Sequence, residues 1–196
     1  MGSMNRRQKR RLIGLAVGLT VAGLSVAGQQ LGWFDQPAKE IGQQNPGLYS
    51  VVRVSDGDTI IVDMNGRSET VRLIGVDTPE THHPDLPVQC YGPAASAYTR
   101  NLIGGHKVRL EADPTNQNRD RYDRLLRYVY LPDSRLVQAE IVQNGYGFAY
   151  THFPFTKKQE FIQLEKQAKA EYRGLWGNCE ITEENGHKQT APQTNS

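Results

Sequence analysis

The chain has 196 residues, 37% of them hydrophobic and 22% charged, so one globular domain with appended segments is expected and wholesale disorder is excluded. The formal net charge is +2, but five cations lie between residues 6 and 11, and the remaining chain carries 18 basic residues against 21 acidic ones. A broad basic surface is therefore excluded, and any affinity for phosphate must come from a few placed arginines or from a metal ion.

The N-terminal segment, residues 1–34, predicts export. Residues 1–3 are interpreted as a cloning scar before the natural start at Met4, and a basic stretch then leads into an uncharged run from Leu12 to Gly28. This run fits the core of a cleaved signal peptide, and residues 12–34 together also fit a retained membrane anchor with its basic side in the cytoplasm. Either alternative places the rest of the chain outside the cytoplasm, secreted or anchored to the membrane.

The remaining chain divides into three parts. Residues 35–47 contain two prolines and two glycines and are predicted to form a linker. The globular domain is predicted at residues 48–179. The last segment, residues 180–196, has no apolar periodicity and is predicted to be a disordered tail.

The domain alternates between strand and helix signals. Runs rich in β-branched and aromatic residues, separated by turn signals such as Asn65-Gly66, predict five strands at 48–54, 59–63, 69–76, 107–112 and 125–131. Pro93 at a helix start, together with Gly145 and Gly174 as stops, predicts three helices at 93–103, 137–144 and 157–172. Neighbouring strands with helices inserted late favour an α+β fold, and a five-stranded barrel of the OB type with three α-helices fits this order best.

Two cysteines, Cys90 and Cys179, lie far apart in the chain. Without a CxxC motif they cannot form a four-cysteine zinc site, which leaves two unrelated thiols or one disulfide. An exported protein can keep a disulfide, so we expect a bridge. It would pin the C-terminal end of the domain to the loop before the first helix.

Two carboxylate-rich turns lie at strand ends. Asp58 belongs to the Asp-Gly-Asp-Thr turn between the first two strands, and Asp77 and Glu80 belong to the Asp-Thr-Pro-Glu segment after the third. Carboxylates that converge there would favour calcium or magnesium over zinc. Taken alone, both motifs also fit ordinary turn chemistry.

Two arginine positions extend this group. Arg72 lies in the third strand among apolar neighbours and therefore needs an anionic partner. Its five-residue separation from Asp77 nominally places the two on opposite faces, although a bend near Gly75 could bring them together. The basic and acidic loop 119–124 fits either a phosphate-binding segment or a solvated hairpin with local salt bridges.

Several motifs, taken together and in order, resemble the staphylococcal nuclease (thermonuclease) family over about residues 48–179. They are DGDT at 56–59, RLIGVDTPET at 72–81, HP at 83–84, YGPAAS at 91–96, DRYDR at 120–124 and GLW at 174–176. The resemblance implies an OB barrel with three helices. It also implies a calcium-dependent nuclease that cuts DNA and RNA to leave 3′-phosphate ends.

The resemblance also assigns roles to individual residues. It implies a Ca²⁺ site and a catalytic group that consists of calcium ligands (Asp58, Asp77 and the backbone carbonyl of Thr78), a general base (Glu80) and two arginines that grip the scissile phosphate (Arg72, Arg124). It further implies contacts to the nucleotide from Arg121, Tyr122 and Tyr150. DNA and RNA are the expected partners, and the protein is expected to be a monomer.

The chain departs from the family pattern at three places. Asp123 replaces a usual glycine and is expected to pair with Arg124 or Arg121, the loop 82–87 lacks lysines, and His152 stands where an aromatic residue is expected. Two alternatives to the enzyme remain: a non-catalytic OB module that binds nucleic acid outside the cytoplasm, and a membrane-tethered interaction protein. The complete catalytic set and the acidic balance after the leader favour the enzyme.

Overall fold

The computed structural model describes residues 47–81 and 87–193. The predicted leader, nearly all of the predicted linker and the histidine-containing part of the loop at 82–86 lie outside these ranges. Within them, no helix combines the length and the apolar character that crossing a bilayer requires.

Five strands close into a barrel, which confirms the predicted OB-type architecture. Its strand order is β1-β2-β3-β6-β5, with β3 and β6 parallel and the other pairs antiparallel. The strands are β1 Leu48–Asp56, β2 Thr59–Met64, β3 Arg67–Leu73, β5 Lys107–Glu111 and β6 Leu125–Tyr130. Alternate residues of β2 and β3 are fully buried, including Ile60, Val62 and Val71, because successive side chains of a strand point to opposite faces.

The three predicted helices are also present, and they pack around the barrel. They are α1 Gly92–Ile103, α2 Val137–Gln143 and α3 Lys158–Ala170. A short fourth helix, α4 Leu175–Asn178, has too few residues to show a periodic pattern. Ile103 of α1 and Ile141 of α2 join the barrel core, while Phe161 of α3 packs with Phe155 and Tyr128 in a second core.

The predicted third strand is interrupted at its end. β3 ends at Leu73, and a turn at Gly75 leads into β4 Val76–Asp77, which pairs with β7 Phe148–Ala149. Gly75 has a φ of +75°, and a Cβ there would lie 2.6 Å from the Phe155 ring. Only glycine meets both conditions without strain, and the resulting bend changes the direction in which Asp77 points.

The predicted disordered tail is wrong for residues 181–190, which form an antiparallel hairpin of β8 Ile181–Glu184 and β9 His187–Thr190. Asn185 and Gly186 form its two-residue turn with φ values of 51° and 78°. The ladder bonds are made by the backbone, so the hairpin needs no apolar periodicity. A disulfide between Cys90 and Cys179, whose Cα atoms are 5.9 Å apart, lies at its base and confirms the expected bridge.

Candidate active site

Arg72 is the centre of a buried group of charges. Its Nη2 lies 2.8 Å from Asp77 Oδ1 and 3.1 Å from Asp58 Oδ2. Its Nη1 donates hydrogen bonds to the carbonyls of Val76, at 2.6 Å, and Leu73, at 3.2 Å. The guanidinium therefore closes the turn around Gly75 and joins two carboxylates that the sequence separates by 19 positions.

This arrangement sets the charge state of the group. Burial alone lowers the pKa of Arg72, but the facing carboxylates of Asp58 and Asp77 raise it above its ordinary value. Burial raises the pKa of Asp77, and the adjacent Arg72 opposes this shift only in part. Arg72 is therefore charged at every pH at which the fold exists, and it faces the carboxylates as a permanent cation.

Thr78 and Gly57 bring the two carboxylate turns together. The backbone N–H of Thr78 donates to Asp58 Oδ2 at 3.0 Å. A Cβ at Gly57 would lie 2.7 Å from Thr78 Oγ1, so the glycine of the Asp-Gly-Asp turn permits this close approach. Thr78 Oγ1 is buried and has no hydrogen-bond partner among the described residues.

The candidate metal ligands on this side of the site are the carboxylate oxygens of Asp58 and Asp77. Their chemistry fits a hard cation such as calcium. Within residues 47–81 and 87–193, no three acidic, histidine or cysteine side chains converge closely enough to hold a metal ion. A cation here would therefore complete its shell with backbone oxygens and water.

Asp56 is a site residue that the sequence reasoning missed as an individual group. Its Oδ1 accepts hydrogen bonds from Gly57 N, Thr81 Oγ1 and Ser96 Oγ at 2.8–3.1 Å. Burial, a hydrogen bond with Glu80 and the charge of Asp58 raise its pKa to about 6. Asp56 is thus hydrogen-bonded to the predicted general base, and its place two residues before Asp58 was the available signal.

Replacement of Asp56 by asparagine is expected to stabilise the calcium-free protein at about pH 8 by about 1–2 kcal/mol. Because its pKa is raised in the folded state, the native protein binds this proton more tightly than the unfolded chain. The stabilisation that this bound proton provides is complete below pH 3.8, the ordinary pKa of aspartate. It is lost as the pH rises through about 6, the pKa of Asp56 in the folded protein. Asparagine keeps the acceptor and removes the ionisation.

Urea unfolding followed by circular dichroism at several pH values tests this expectation. The control is Asp63→Asn, which changes an exposed aspartate of the adjacent strand β2. A variant at Asp56 that is less stable than the wild type across the whole pH range would contradict the assignment.

Arg124 pairs with Asp120. The sequence instead suggests the neighbouring Asp123 as its partner. Its Nε and Nη2 both lie 2.7 Å from Asp120 Oδ2. Asp123 has a φ of +63° and faces Arg119, with Nε and Oδ1 3.6 Å apart. The expected pairing with Arg124 or Arg121 is therefore wrong, because the left-handed backbone at this position turns the Asp123 side chain away. Glycine adopts such a left-handed conformation without the steric cost that a residue with a Cβ carries.

A cleft of about 480 Å³ joins the two predicted phosphate-binding arginines. The Tyr122 ring centroid lies 4.8 Å from the guanidinium carbon of Arg121 and 5.3 Å from that of Arg124, and the residue is mostly exposed. The predicted site residues that line the cleft are Arg72, Asp77, Arg121, Tyr122, Arg124 and Tyr150. Asp58, Thr78 and Glu80 are not among its lining residues. The predicted site residues therefore fall into two adjoining sets, one that lines the cleft and one that surrounds the carboxylates.

Known proteins resemble this chain over most of its length. The sequence model described as "Staphylococcal nuclease homologue" matches residues 70–178. The thermonuclease of Staphylococcus hyicus is 41% identical over 163 residues, which cover 82% of this chain and 95% of the relative. The thermonuclease of Staphylococcus intermedius is 43% identical over 129 residues, covering 65% and 75%. Endonuclease YncB of Bacillus subtilis is 42% identical over 126 residues, covering 63% and 59%.

Proposed function

The chain belongs to the staphylococcal nuclease family and is a nuclease, and we propose that it is exported, depends on calcium and cuts DNA and RNA to 3′-phosphate products. The observation that carries this proposal is the cleft in which Arg72, Arg124 and Asp77 meet. The cleft combines two cations, Arg72 and Arg124, with the carboxylate of Asp77, which shares Arg72 with Asp58. Phosphodiester hydrolysis requires these two kinds of chemistry side by side.

Arg72 and Arg124 are the proposed phosphate-binding groups. Each now contacts carboxylates, Arg72 with Asp58 and Asp77, and Arg124 with Asp120. These carboxylates hold the guanidinium groups in place. Arg72 uses both Nη atoms in its contacts and Arg124 uses Nε and Nη2, so a phosphate would be met by Arg72 Nε and Arg124 Nη1. Two guanidinium groups suit the charge that develops on the phosphate oxygens, because each adds a positive charge and a charge-assisted hydrogen bond.

Asp58, Asp77 and the Thr78 backbone carbonyl are the proposed calcium ligands. The carboxylates of Asp58 and Asp77 converge on Arg72, and Thr78 adjoins them through its N–H to Asp58; this placement and the oxygen chemistry support the assignment. Bound calcium would supply charge neutralisation for the phosphate and order for the attacking water. The protein's own contribution is to hold the ligands and to keep a cation, Arg72, beside them.

Glu80 is the proposed acceptor of the water's proton. Its Oε1 accepts a hydrogen bond from Thr81 N at 3.0 Å, and its side chain is hydrogen-bonded with Asp56. These contacts fix its orientation and place a second carboxyl group within reach of the same proton. General-base assistance of this kind contributes about 10²–10⁴-fold in rate.

The disulfide between Cys90 and Cys179 supports a location outside the cytoplasm, where disulfides persist. It agrees with the export predicted from residues 1–34. We propose a protein that is secreted or held at the membrane by residues 12–34 and that acts as a monomer.

Digestion of single-stranded DNA and of RNA by the purified full-length protein tests the function. With calcium we expect cleavage. The 3′ ends of the products should resist ligation until a 3′-phosphatase has converted the 3′-phosphate to a hydroxyl. With a chelator we expect the rate to fall at least about 10²-fold, since the scissile phosphate loses its main neutralising charge. Activity that is unchanged by the chelator would contradict the calcium assignment.

Glu80→Gln provides the matched variant in the same assay. It keeps the shape and the acceptor for Thr81 N but cannot take up a proton, so turnover should fall while calcium binding remains. Unchanged turnover at saturating calcium would remove the base assignment. Binding of nucleic acid without cleavage by the wild type would instead favour the non-catalytic OB module.

A further inference from the structure

The C-terminal hairpin, residues 181–190, is fixed to the domain at its base. Cys90 N donates to Ala191 O and Gln193 N donates to Val88 O, both at 2.8 Å. Thr190 is 2% exposed and its Oγ1 donates to Cys90 O. Together with the disulfide at Cys179, these contacts make the hairpin part of the fold, although it lies beyond the family match, which ends at residue 178.

The tip of the C-terminal hairpin is fixed as well. Lys188 Nζ lies 2.9 Å from Glu165 Oε2, and the other oxygen of Glu165 accepts a hydrogen bond from Ala149 N of β7. Both side chains of this ion pair are more than three-quarters buried. The His152 Nε2 atom lies 3.1 Å from Gly186 O at the turn. The tip is therefore held against the loop that follows β7.

This placement brings His187 into the active-site cleft. Its ring lines the cleft together with Arg72 and Tyr150, and its Nε2 lies 3.4 Å from Asp77 Oδ2. The ring centroid is 6.1 Å from that of Tyr150 and 6.0 Å from that of His152. Tyr150 in turn lies 6.0 Å from Phe153, which is mostly exposed.

We propose that the C-terminal hairpin is a wall of the substrate cleft and that His187 is a specificity-determining residue that contacts an unpaired base. The proposal rests on the nuclease function and names the substrate form for the same site. The cleft is lined by arginines for the phosphates and by the rings of Tyr150, Phe153 and His187, of which His187 belongs to the hairpin.

Single-stranded nucleic acid is the ligand that fits this pairing of groups. Its backbone is anionic and its free bases offer flat faces to aromatic side chains, whereas the bases of a duplex are already stacked and paired. Stacking tolerates every base, so the hairpin selects strandedness rather than sequence. A residue outside the family match thus adds a base contact to a phosphate-binding cleft.

Fluorescence anisotropy with labelled oligonucleotides of about 10 nucleotides, comparable to the length that such grooves cover, tests the proposal. Binding is measured with a chelator present, so that cleavage does not interfere, for a single strand, an abasic strand of equal length and a duplex. His187→Ala in the full-length protein should weaken binding of the single strand about five- to tenfold and leave the abasic strand unaffected.

Three variants separate stacking from other effects. His187→Phe keeps a ring and should restore binding of the single strand. Lys188→Glu places like charges beside Glu165, detaches the tip and should reproduce the loss without changing any residue that lines the cleft. Thr182→Ala, an exposed change in the same hairpin, should bind as the wild type does.

The proposal is overturned if His187→Ala leaves binding of the single strand unchanged or weakens the abasic strand equally, or if His187→Phe fails to restore it. Because cleavage is not the readout, these outcomes remain readable even if the protein proves inactive. Conversely, base-dependent binding through His187 without calcium-dependent cleavage would contradict the proposed catalysis. It would still support the proposal that the C-terminal hairpin forms a wall of the cleft.

Discussion

Substituting lysine for Arg72 is expected to lower kcat for single-stranded DNA by about 10²–10³-fold while the protein remains folded. Lysine keeps a positive charge between Asp58 and Asp77, so the carboxylates do not repel each other without compensation. It cannot donate at once to both carboxylates and to Val76 O, as the planar guanidinium does, and still offer an N–H to a phosphate.

Initial rates at saturating calcium and substrate measure this effect, and thermal melting by circular dichroism reports whether the fold survives. Arg67→Lys is the matched control, since it makes the same change at an exposed position of β3. An Arg72→Lys enzyme with the turnover of the wild type would show that the buried arginine serves the fold alone.

The largest expected loss of stability follows from Asp113→Asn, at about 3 kcal/mol. Asp113 is 3% exposed and lies outside the cleft. Its carboxylate accepts hydrogen bonds from the backbone and hydroxyl of Thr115, from the Tyr128 hydroxyl and from the backbone and hydroxyl of Thr156. Asparagine has a single acceptor oxygen, and its amide would face donors.

The same contacts predict acid sensitivity. Burial opposes ionisation, but the hydrogen bonds from Thr115, Tyr128 and Thr156 hold the pKa of Asp113 well below its usual range. Because the pKa of Asp113 is lowered in the folded state, its carboxylate stabilises the protein fully at pH values above 3.8, the ordinary pKa of aspartate. This stabilisation is lost progressively as the pH falls below 3.8. Asp113→Asn should therefore be less stable at neutral pH and show a smaller decline in acid.

Urea unfolding at neutral and acidic pH measures both effects. The control is Asp133→Asn, at an aspartate that also pairs locally with an arginine but is about half exposed, and we expect little change there. Equal losses for the two variants would contradict the role of burial, and an unaltered acid transition in Asp113→Asn would contradict the pKa assignment.

The barrel and its helices follow from local patterns. The alternation of Ile60 and Val62 in β2 and the Asn65-Gly66 turn specify a hairpin without reference to the rest of the chain, since side-chain period and turn geometry are local properties. The proposed catalytic group follows from the order of several motifs. The short helix α4 and the C-terminal hairpin were not predicted, because neither has an apolar period. Asn185-Gly186 nevertheless carries the same turn signal as Asn65-Gly66.

Partners of charged groups could not be derived in the same way. Asp123 adjoins Arg124 in the chain, yet Asp123 has a left-handed backbone and Arg124 pairs with Asp120 instead. The pair of Asp56 with Glu80 and the contact of His187 with Asp77 join residues 24 and 110 positions apart. Such pairings depend on how strands and loops are placed in space, which no local pattern records.

The sequence by itself determined the fold class and the nuclease family, it favoured the disulfide, and it supplied the residues that are proposed to bind the phosphate. The tertiary structure alone decided how they are arranged. The bend at Gly75 joins Arg72 to Asp77, the close approach at Gly57 joins Asp58 to Thr78, and the C-terminal hairpin brings His187 into the cleft. The physical reason is that composition and periodicity act over a few residues, whereas charge, burial and hydrogen bonding act between whatever groups the closed barrel brings together.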